Sequence, residues 1–477
     1  MYVKHYVSKA FMKSSDLDSS FIAGIFQLLF EVLYEIFWGF WHISSDYLAL
    51  DTATIYFQNW QFYKRNRMTF KDCKKADLLT LRIYESLLDT KLFTNNSKEK
   101  QYYSFLHDRY FEMIKLPRVY TCVYHDMKQK NKQRLFIEFN GAQVKSIESD
   151  EFLTALNQVL ASVDNNLTAQ MPDHRSGWLI YKIKDDSVNY RINLVSDDLN
   201  ELDGYKIFLD HGHVWDLKKN FGGILVGPSG FGKSMLLTGI IDQVLKINKR
   251  NKKNDPQNFQ NDKEKIDLFV GDGKNDVLGS MCKVILPEDH TYVGTDVFTL
   301  IHTMYEEMIK RYKYMSCKRK KNPRKLASAD FEQLGLNMIV CIIDEQAVVL
   351  ESLEKKQAKQ YVSELTRLAQ AARAAGIVLI ISMQQASVQA FGNSAIREQL
   401  NGCRIVMGPA KNISTENKNM VFETGTILPP SKHADVVGTG YVQTASMPAP
   451  EEFQSPLLPT DHEKLFDLLL KDSNRTL

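Results

Sequence analysis

The sequence predicts an α/β chain built on a parallel sheet, and three observations carry that prediction. Residues Gly227-Pro228-Ser229-Gly230-Phe231-Gly232-Lys233-Ser234 fit a phosphate-binding loop: Gly, four residues, then Gly-Lys-Ser. From Leu225 onward, apolar segments of strand length alternate with helical patterns, as in a parallel sheet covered on both faces. The third such segment, Met338-Ile339-Val340-Cys341-Ile342-Ile343, ends in the acidic pair Asp344-Glu345.

The first strand, Gly223-Ile224-Leu225-Val226, directly precedes the loop, and a helical pattern from Met235 to Ile247 directly follows it. Glycines let backbone N–H groups curl around an anion, and the helix N-terminus adds partial positive charge. Lys233 is placed to reach the β- and γ-phosphates of ATP, and the Ser234 hydroxyl to hold Mg²⁺. A Gly-rich turn before a helix is the alternative. Ile266–Val270 is the second strand, Ile377–Ser382 the fourth and Arg404–Met407 the fifth.

An apolar strand ending in two acids, about 110 residues after a phosphate loop, delivers carboxylates beside the phosphates. Asp344 is expected to bind Mg²⁺, directly or through water, and Glu345 to act as general base on the attacking water. Solvated charge at a strand end is the competing reading. The fourth strand ends in Gln384-Gln385, on the side where such sheets bind ligands. Gln384 is expected to sense the γ-phosphate, through a hydrogen bond to it or to the water; an exposed loop glutamine is the alternative.

With 477 residues the chain has room for two or three domains, and its formal net charge of +3 is too small to argue for a partner. Six scattered cysteines form no zinc pattern and fit a reducing compartment. His211 and His213 flank Gly212 without further ligands nearby, which reads as a surface turn. Residues 1–50 are expected to hold a leader and an apolar helix, Phe21 to His42, long enough for a membrane span. Glu31 and Glu35 interrupt it, and Gln27, Glu31, Glu35 and His42 fall along one stripe. Three readings stay open: a membrane helix with its polar stripe toward other subunits, a helix in the membrane surface, and a buried or partner-binding helix.

Residues 51–200 read as an accessory region, helical over 51–115 and then α+β. Its strands are Arg118–Tyr124, Arg134–Phe139 and Trp178–Ile183, with a helix over Glu151–Val163. Residues 201–445 are the phosphate-loop domain, and 446–477 a Pro-rich tail with a short helix, Asp461–Lys471. Lys246–Lys265 reads as a mobile polar loop. The run Lys310–Lys325 is dense in Lys and Arg and reads as either a phosphate-backbone contact or a solvated loop.

Over about residues 205–445 the chain resembles the FtsK/SpoIIIE branch of the HerA–FtsK DNA-pumping ATPases. Asp272-Gly273-Lys274-Asn275-Asp276 is similar to that family's Asp-Pro-Lys-Gly stretch, and Glu307-Met308-Ile309-Lys310-Arg311-Tyr312 to its Glu-Met-x-x-Arg-Tyr helix. Arg367 to Ile377 is close to its Arg-Ala-Ala-Gly segment, and Ser382-Met383-Gln384-Gln385 stands where it has Ala-Thr-Gln-Arg. Departures are Gly273 for Pro, Gln385 for Arg, Ala386 for Pro, and Glu416-Asn417-Lys418 for Asp-Ser-Arg.

The resemblance implies a RecA-like parallel-sheet ATPase that uses ATP and Mg²⁺ and acts on DNA as a homo-hexamer. It leans to the coupling ATPases of conjugative plasmids and integrative elements. That implies a motor on the cytoplasmic face of the cell membrane, with relaxase or secretion-channel partners. A ring needs an arginine from the neighbouring subunit; Arg373 is the first candidate and Arg404 the second, with a helix-end cation as the alternative for Arg373. Two other functions stay open: an ATPase energising protein export, and an ATP-switch DNA partitioning protein.

Overall fold

Residues Met338–Asp344 are buried at all seven positions, as are Ile377–Met383. Strands buried on both faces belong at the centre of a sheet covered by helices. The computed structural model describes residues 150–196 (save 171 and 176), 204–254 and 265–473 (save 430, 432, 434 and 435), with short strands and isolated residues between 64 and 138. The apolar stretch Phe21–His42 lies outside the described residues. Among the described residues no helix is long and apolar enough to cross a membrane. The chain divides into two compact units, Met1–Ser187 and Val188–Leu477.

In the first unit, β1 (Gln101–Ser104) and β2 (Arg109–Glu112) form an antiparallel hairpin. A helical reading was expected through 115; these aromatic-rich segments are β-favouring and pair in register, Tyr102 opposite Phe111. β3 (Val119–Tyr124), β4 (Lys132–Glu138), α1 (Asp150–Val163), β5 (Leu167–Ala169), β6 (Asp173–Arg175) and β7 (Trp178–Asp185) follow. The strands make an antiparallel sheet ordered β3-β4-β7-β5, with β6 also on β7. Helix α1 buries Phe152, Leu156 and Leu160, and the Phe152 ring lies 6.1 Å from that of Tyr181 on β7.

The second unit opens with the hairpin β8 (Lys206–Phe208) and β9 (Val214–Asp216). Then come β10 (Gly223–Val226), α2 (Lys233–Asn254), β11 (Ile266–Asp272), α3 (Val277–Ile285), β12 (Thr291–Val293) and α4 (Val297–Lys321). After them run β13 (Met338–Asp344), α5 (Gln346–Ser352), α6 (Lys355–Ala371), β14 (Ile377–Met383), β15 (Cys403–Met407) and α7 (Thr415–Val421). β16 (Thr439–Thr444), β17 (Glu451–Gln454) and α8 (His462–Ser473) finish it. The eight-stranded sheet is ordered β12-β11-β13-β14-β10-β15-β16-β17. The strands from β12 through β15 are parallel; β16 and β17 add antiparallel. The phosphate-loop strand β10 thus sits between β14 and β15, one strand away from β13.

Two polar segments differ from expectation. Helix α2 continues to Asn254 through the first half of the stretch expected as a mobile loop. Asn248 donates to Ile266 O at 2.9 Å and accepts from Ile266 N at 2.8 Å, and Lys249 pairs with Asp472 at 3.1 Å, so the polar residues are used to hold the helix. The basic run is the end of α4, not a loop. Within it Arg311 is buried and donates to Asn337 O at 2.7 Å, Asn337 Oδ1 at 2.8 Å and Ala375 O at 3.0 Å. Tyr312 donates to Ala371 O at 2.7 Å. These residues pin α4 to the amino ends of β13 and β14, and Arg311 leaves the exposed basic set. Beyond Arg311 the helix runs ten residues further, about 15 Å, with Met315 buried in the core and Arg319 donating to Ala329 O at 2.7 Å. Lys313, Lys318, Lys320 and Lys321 stay exposed on it, as do Arg324 and Lys325 on the short helix Pro323–Leu326 that follows.

Residues 446–477 belong to the same unit as the sheet. β17 is its edge, and α8 buries Leu465 and Leu469 in the core that α2 also enters. The β8–β9 turn carries a buried latch to that edge. Asp210 accepts from Gly212 N and His213 N, both at 2.7 Å, and from Gln454 N at 3.2 Å. His213, expected in a surface turn, is only 12% exposed and bridges Asp210 (2.8 Å) and Glu451 (3.3 Å). Burial works against its charge, but the two carboxylates outweigh burial and raise its pKa from 6.5 to about 9. The latch therefore contributes fully below pH 6.5 and is lost as pH rises through about 9. The expected loss is of order 3 kcal/mol across that window. Urea unfolding at pH 6, 7.5 and 9.5 measures it, and His213→Gln should flatten the dependence.

Candidate active site

The phosphate loop begins where β10 ends, because Pro228 cannot extend the ladder. Gly230 and Gly232 have φ of 87° and 90°, in the left-handed region that side chains avoid. At Gly232 a Cβ would also stand 3.1 Å from the Gly438 Cα, since the turn before β16 packs on the loop and Gly438 N donates to Phe231 O at 3.2 Å. Lys233 and Ser234 open α2, so the loop amides and the start of a 22-residue helix face the same point.

The two acids reach that point from β13. Lys233 Nζ lies 2.6 Å from Glu345 Oε1 and 3.4 Å from Asp344 Oδ1. All three side chains are buried. Gln384, one residue past β14, donates to Glu345 Oε1 at 3.1 Å. The loop lysine, the acidic pair and the glutamine, distant in sequence, thus meet at the carboxyl ends of β10, β13 and β14. Glu345 has φ 54° and ψ 50°, a strained conformation for a glutamate and one that concentrates at functional sites.

The two carboxylates are driven apart electrostatically. Burial raises the Asp344 carboxyl above the ordinary carboxylate range, against the opposing pull of Lys233. Burial would raise Glu345 as well, but Lys233, then Lys274 and Gln384, outweigh it and hold that carboxyl below its ordinary range. Divergent carboxyl groups in one cleft mark separate chemical roles.

Arg373 does not join this cluster within the chain. It lies in the turn before β14, exposed, with its guanidinium 5.6 Å from the ring of Phe221 just before β10. Arg373 and Phe221 are both at the amino ends of their strands. Arg404, near the start of β15, donates to Phe422 O at 3.5 Å and lies 3.6 Å from Glu423. Asn417 accepts from Ala386 N at 2.8 Å, so the Glu416-Asn417-Lys418 segment braces the loop after Gln384.

One residue that the chemical reading passed over is in the cluster. Lys274 Nζ lies 3.0 Å from Glu345 Oε1. Its only sequence signal was its place in the Asp272–Asp276 stretch.

The constellation is that of a phosphate-loop ATPase. The chain is 32% identical over 176 residues to the DNA translocase FtsK of Oceanobacillus iheyensis, covering 35% of this chain and 20% of that protein. That relationship bears out the FtsK/SpoIIIE-type resemblance, and the chain spans about a fifth of that relative's length. No family model matches. Among solved structures it is similar to the pCW3 conjugation coupling protein TcpA, monomer form with ATPgS, at 16% identity and a TM-score of 0.44, covering 82% of this chain and 99% of that one. It is also similar to EssC (ATPases 2 and 3) from Geobacillus thermodenitrificans, at 16% identity and a TM-score of 0.40, covering 56% and 45%.

Gly232→Ala should weaken nucleotide binding about tenfold or more, since the new Cβ strains φ and presses on the Gly438 backbone. Titration with a fluorescent ATP analogue measures it; unchanged affinity would mean the loop tolerates both.

Proposed function

We propose that this chain is an ATP-driven DNA translocase of the FtsK-like kind, serving as a coupling protein that moves DNA during conjugative transfer. The observation that carries the reading is the convergence of Lys233, Asp344 and Glu345 at the phosphate loop. The sequence relationship to a DNA translocase supports the choice of DNA as cargo.

In this reading the loop amides and Lys233 hold the triphosphate, Lys233 exchanging its carboxylate partners for phosphate oxygens. Mg²⁺ fits the donor set present: Ser234 and Asp344 offer hard oxygens, and a buried acidic pair needs a cation, a need the Lys233 ammonium meets here. When bound, Mg²⁺ would neutralise charge on the phosphates.

Glu345 stays ionised and takes a proton from the water. The water oxygen bonds to the γ-phosphorus, and the bond from that phosphorus to its bridging oxygen breaks. Gln384, already on Glu345, orients that carboxylate or the water. Six such chains would form a ring at the cytoplasmic face of the membrane, with relaxase or secretion-channel partners. Arg373, or in its place Arg404, would serve the neighbouring subunit's site. The exposed cations at the end of α4 would meet DNA phosphates.

Lys233→Ala should abolish ATP hydrolysis. Glu345→Gln should keep ATP binding and lower turnover by about a hundredfold or more. Phosphate release assayed with and without duplex and single-stranded DNA tests the cargo. Stimulation by either supports translocation, and none with both would move the protein toward the export reading. Replacing Lys318, Lys320 and Lys321 with Gln should reduce the DNA stimulation and flatten its salt dependence.

A further inference from the structure

We infer that Lys274 is a positioning residue for the Glu345 carboxylate, held there by a turn built to reach the acidic pair. The inference deepens the ATPase reading above and rests on it. Lys274 Nζ and Lys233 Nζ lie 3.0 and 2.6 Å from the same oxygen, Glu345 Oε1, and Gln384 Nε2 is 3.1 Å from it. Of the two cations, Lys233 is the one whose place in the phosphate loop commits it to the triphosphate. Once Lys233 turns to phosphate, Lys274 is the ammonium left on Glu345, and with Gln384 it fixes where the carboxylate points.

The turn bearing Lys274 is shaped for this contact. β11 and β13 pair in register to their last residues, Asp272 opposite Asp344. Asp272 is buried and folds the turn back on itself, accepting from Lys274 N at 3.0 Å, Asp276 N at 2.8 Å and Gly279 N at 3.0 Å. Gly273 N donates to Asp344 O at 3.0 Å. A Cβ at Gly273 would stand 2.8 Å from Glu345 O and 2.7 Å from Val349 Cγ2, so a glycine is what lets the two turns close. A proline, which the similar family stretch carries here, would also lack the N–H. Among the described residues, Asn275 and Glu345 are the only non-glycine residues with positive φ, at 56° and 54°. Left-handed backbone, strained at Glu345, thus adjoins this one contact in both turns. Such strain persists only where the surroundings over-determine it. Lys274 itself is 37% exposed, so its position is not forced by core packing.

The test compares Lys274→Met and Lys274→Arg in the full chain, alone and combined with Glu345→Gln. Lys274→Met should keep ATP affinity within about twofold and lower kcat by about 10- to 100-fold, the cost of a misplaced catalytic group. Lys274→Arg should restore most of that loss. In the Glu345→Gln background Lys274→Met should cost nothing further, because the group it positions is already disabled. Full kcat in Lys274→Met, or parallel loss of affinity and kcat without rescue by Arg, would overturn the positioning role. If Glu345→Gln itself turns over normally, the general-base reading falls instead, so the two failures are distinguishable.

Discussion

Two buried carboxylates at the end of one strand need a compensating cation, and much of the second unit is arranged to supply it. Asp344 and Glu345 leave β13 side by side, with Lys233 within 3.4 Å of both. Leaving buried charge uncompensated typically costs about 3–5 kcal/mol. The phosphate-loop lysine is thus a structural partner of the acidic pair as well as a ligand for anions. A substitution at Lys233 perturbs stability along with chemistry, unless Lys274 or protonation of Asp344 takes up the charge.

The sheet makes that meeting possible by its order. β10, β14 and β13 lie next to one another and run the same way, so their carboxyl ends deliver the loop, Gln384 and the acids to one rim. The opposite rim is equally organised. Arg311, Tyr312, Arg373 and Phe221 gather at the amino ends of the strands, and the exposed cations of α4 follow Arg311 along the same helix. Nucleotide chemistry and exposed positive charge are therefore at opposite ends of the same strands.

What the sequence revealed depended on how local each signal was. The loop, the buried strands and the Asp344-Glu345 pair are contiguous patterns, and each lies where the periodicity put it. Gln384 was found because its strand was recognised. Lys274 was not assigned a chemical role, since its partner is 71 residues away and nothing in a lone lysine announces a carboxylate. Arg311 looked like surface charge because neighbouring cations hid that its partners are backbone oxygens from two distant strands. β16 and β17 escaped notice because they are short antiparallel segments with Gly, Ser and Pro around them, and β17 falls in the stretch read as a Pro-rich tail. The residues before 101 gave a helical and apolar reading that falls almost wholly outside the described residues.

The strands β16 and β17 follow the phosphate loop by about two hundred residues, and this bears on biosynthesis. Gly438, which packs on the phosphate loop, and Glu451, which closes the latch on His213, leave the ribosome more than two hundred residues after their partners. At typical elongation of about 5–20 residues per second, the nascent chain carries an unfinished nucleotide pocket for roughly ten seconds or more. β15 (Cys403–Met407) is made late in that interval and lacks its outer neighbour only until β16 (Thr439–Thr444) emerges; until then it presents an unpaired edge of the kind that chaperones cover.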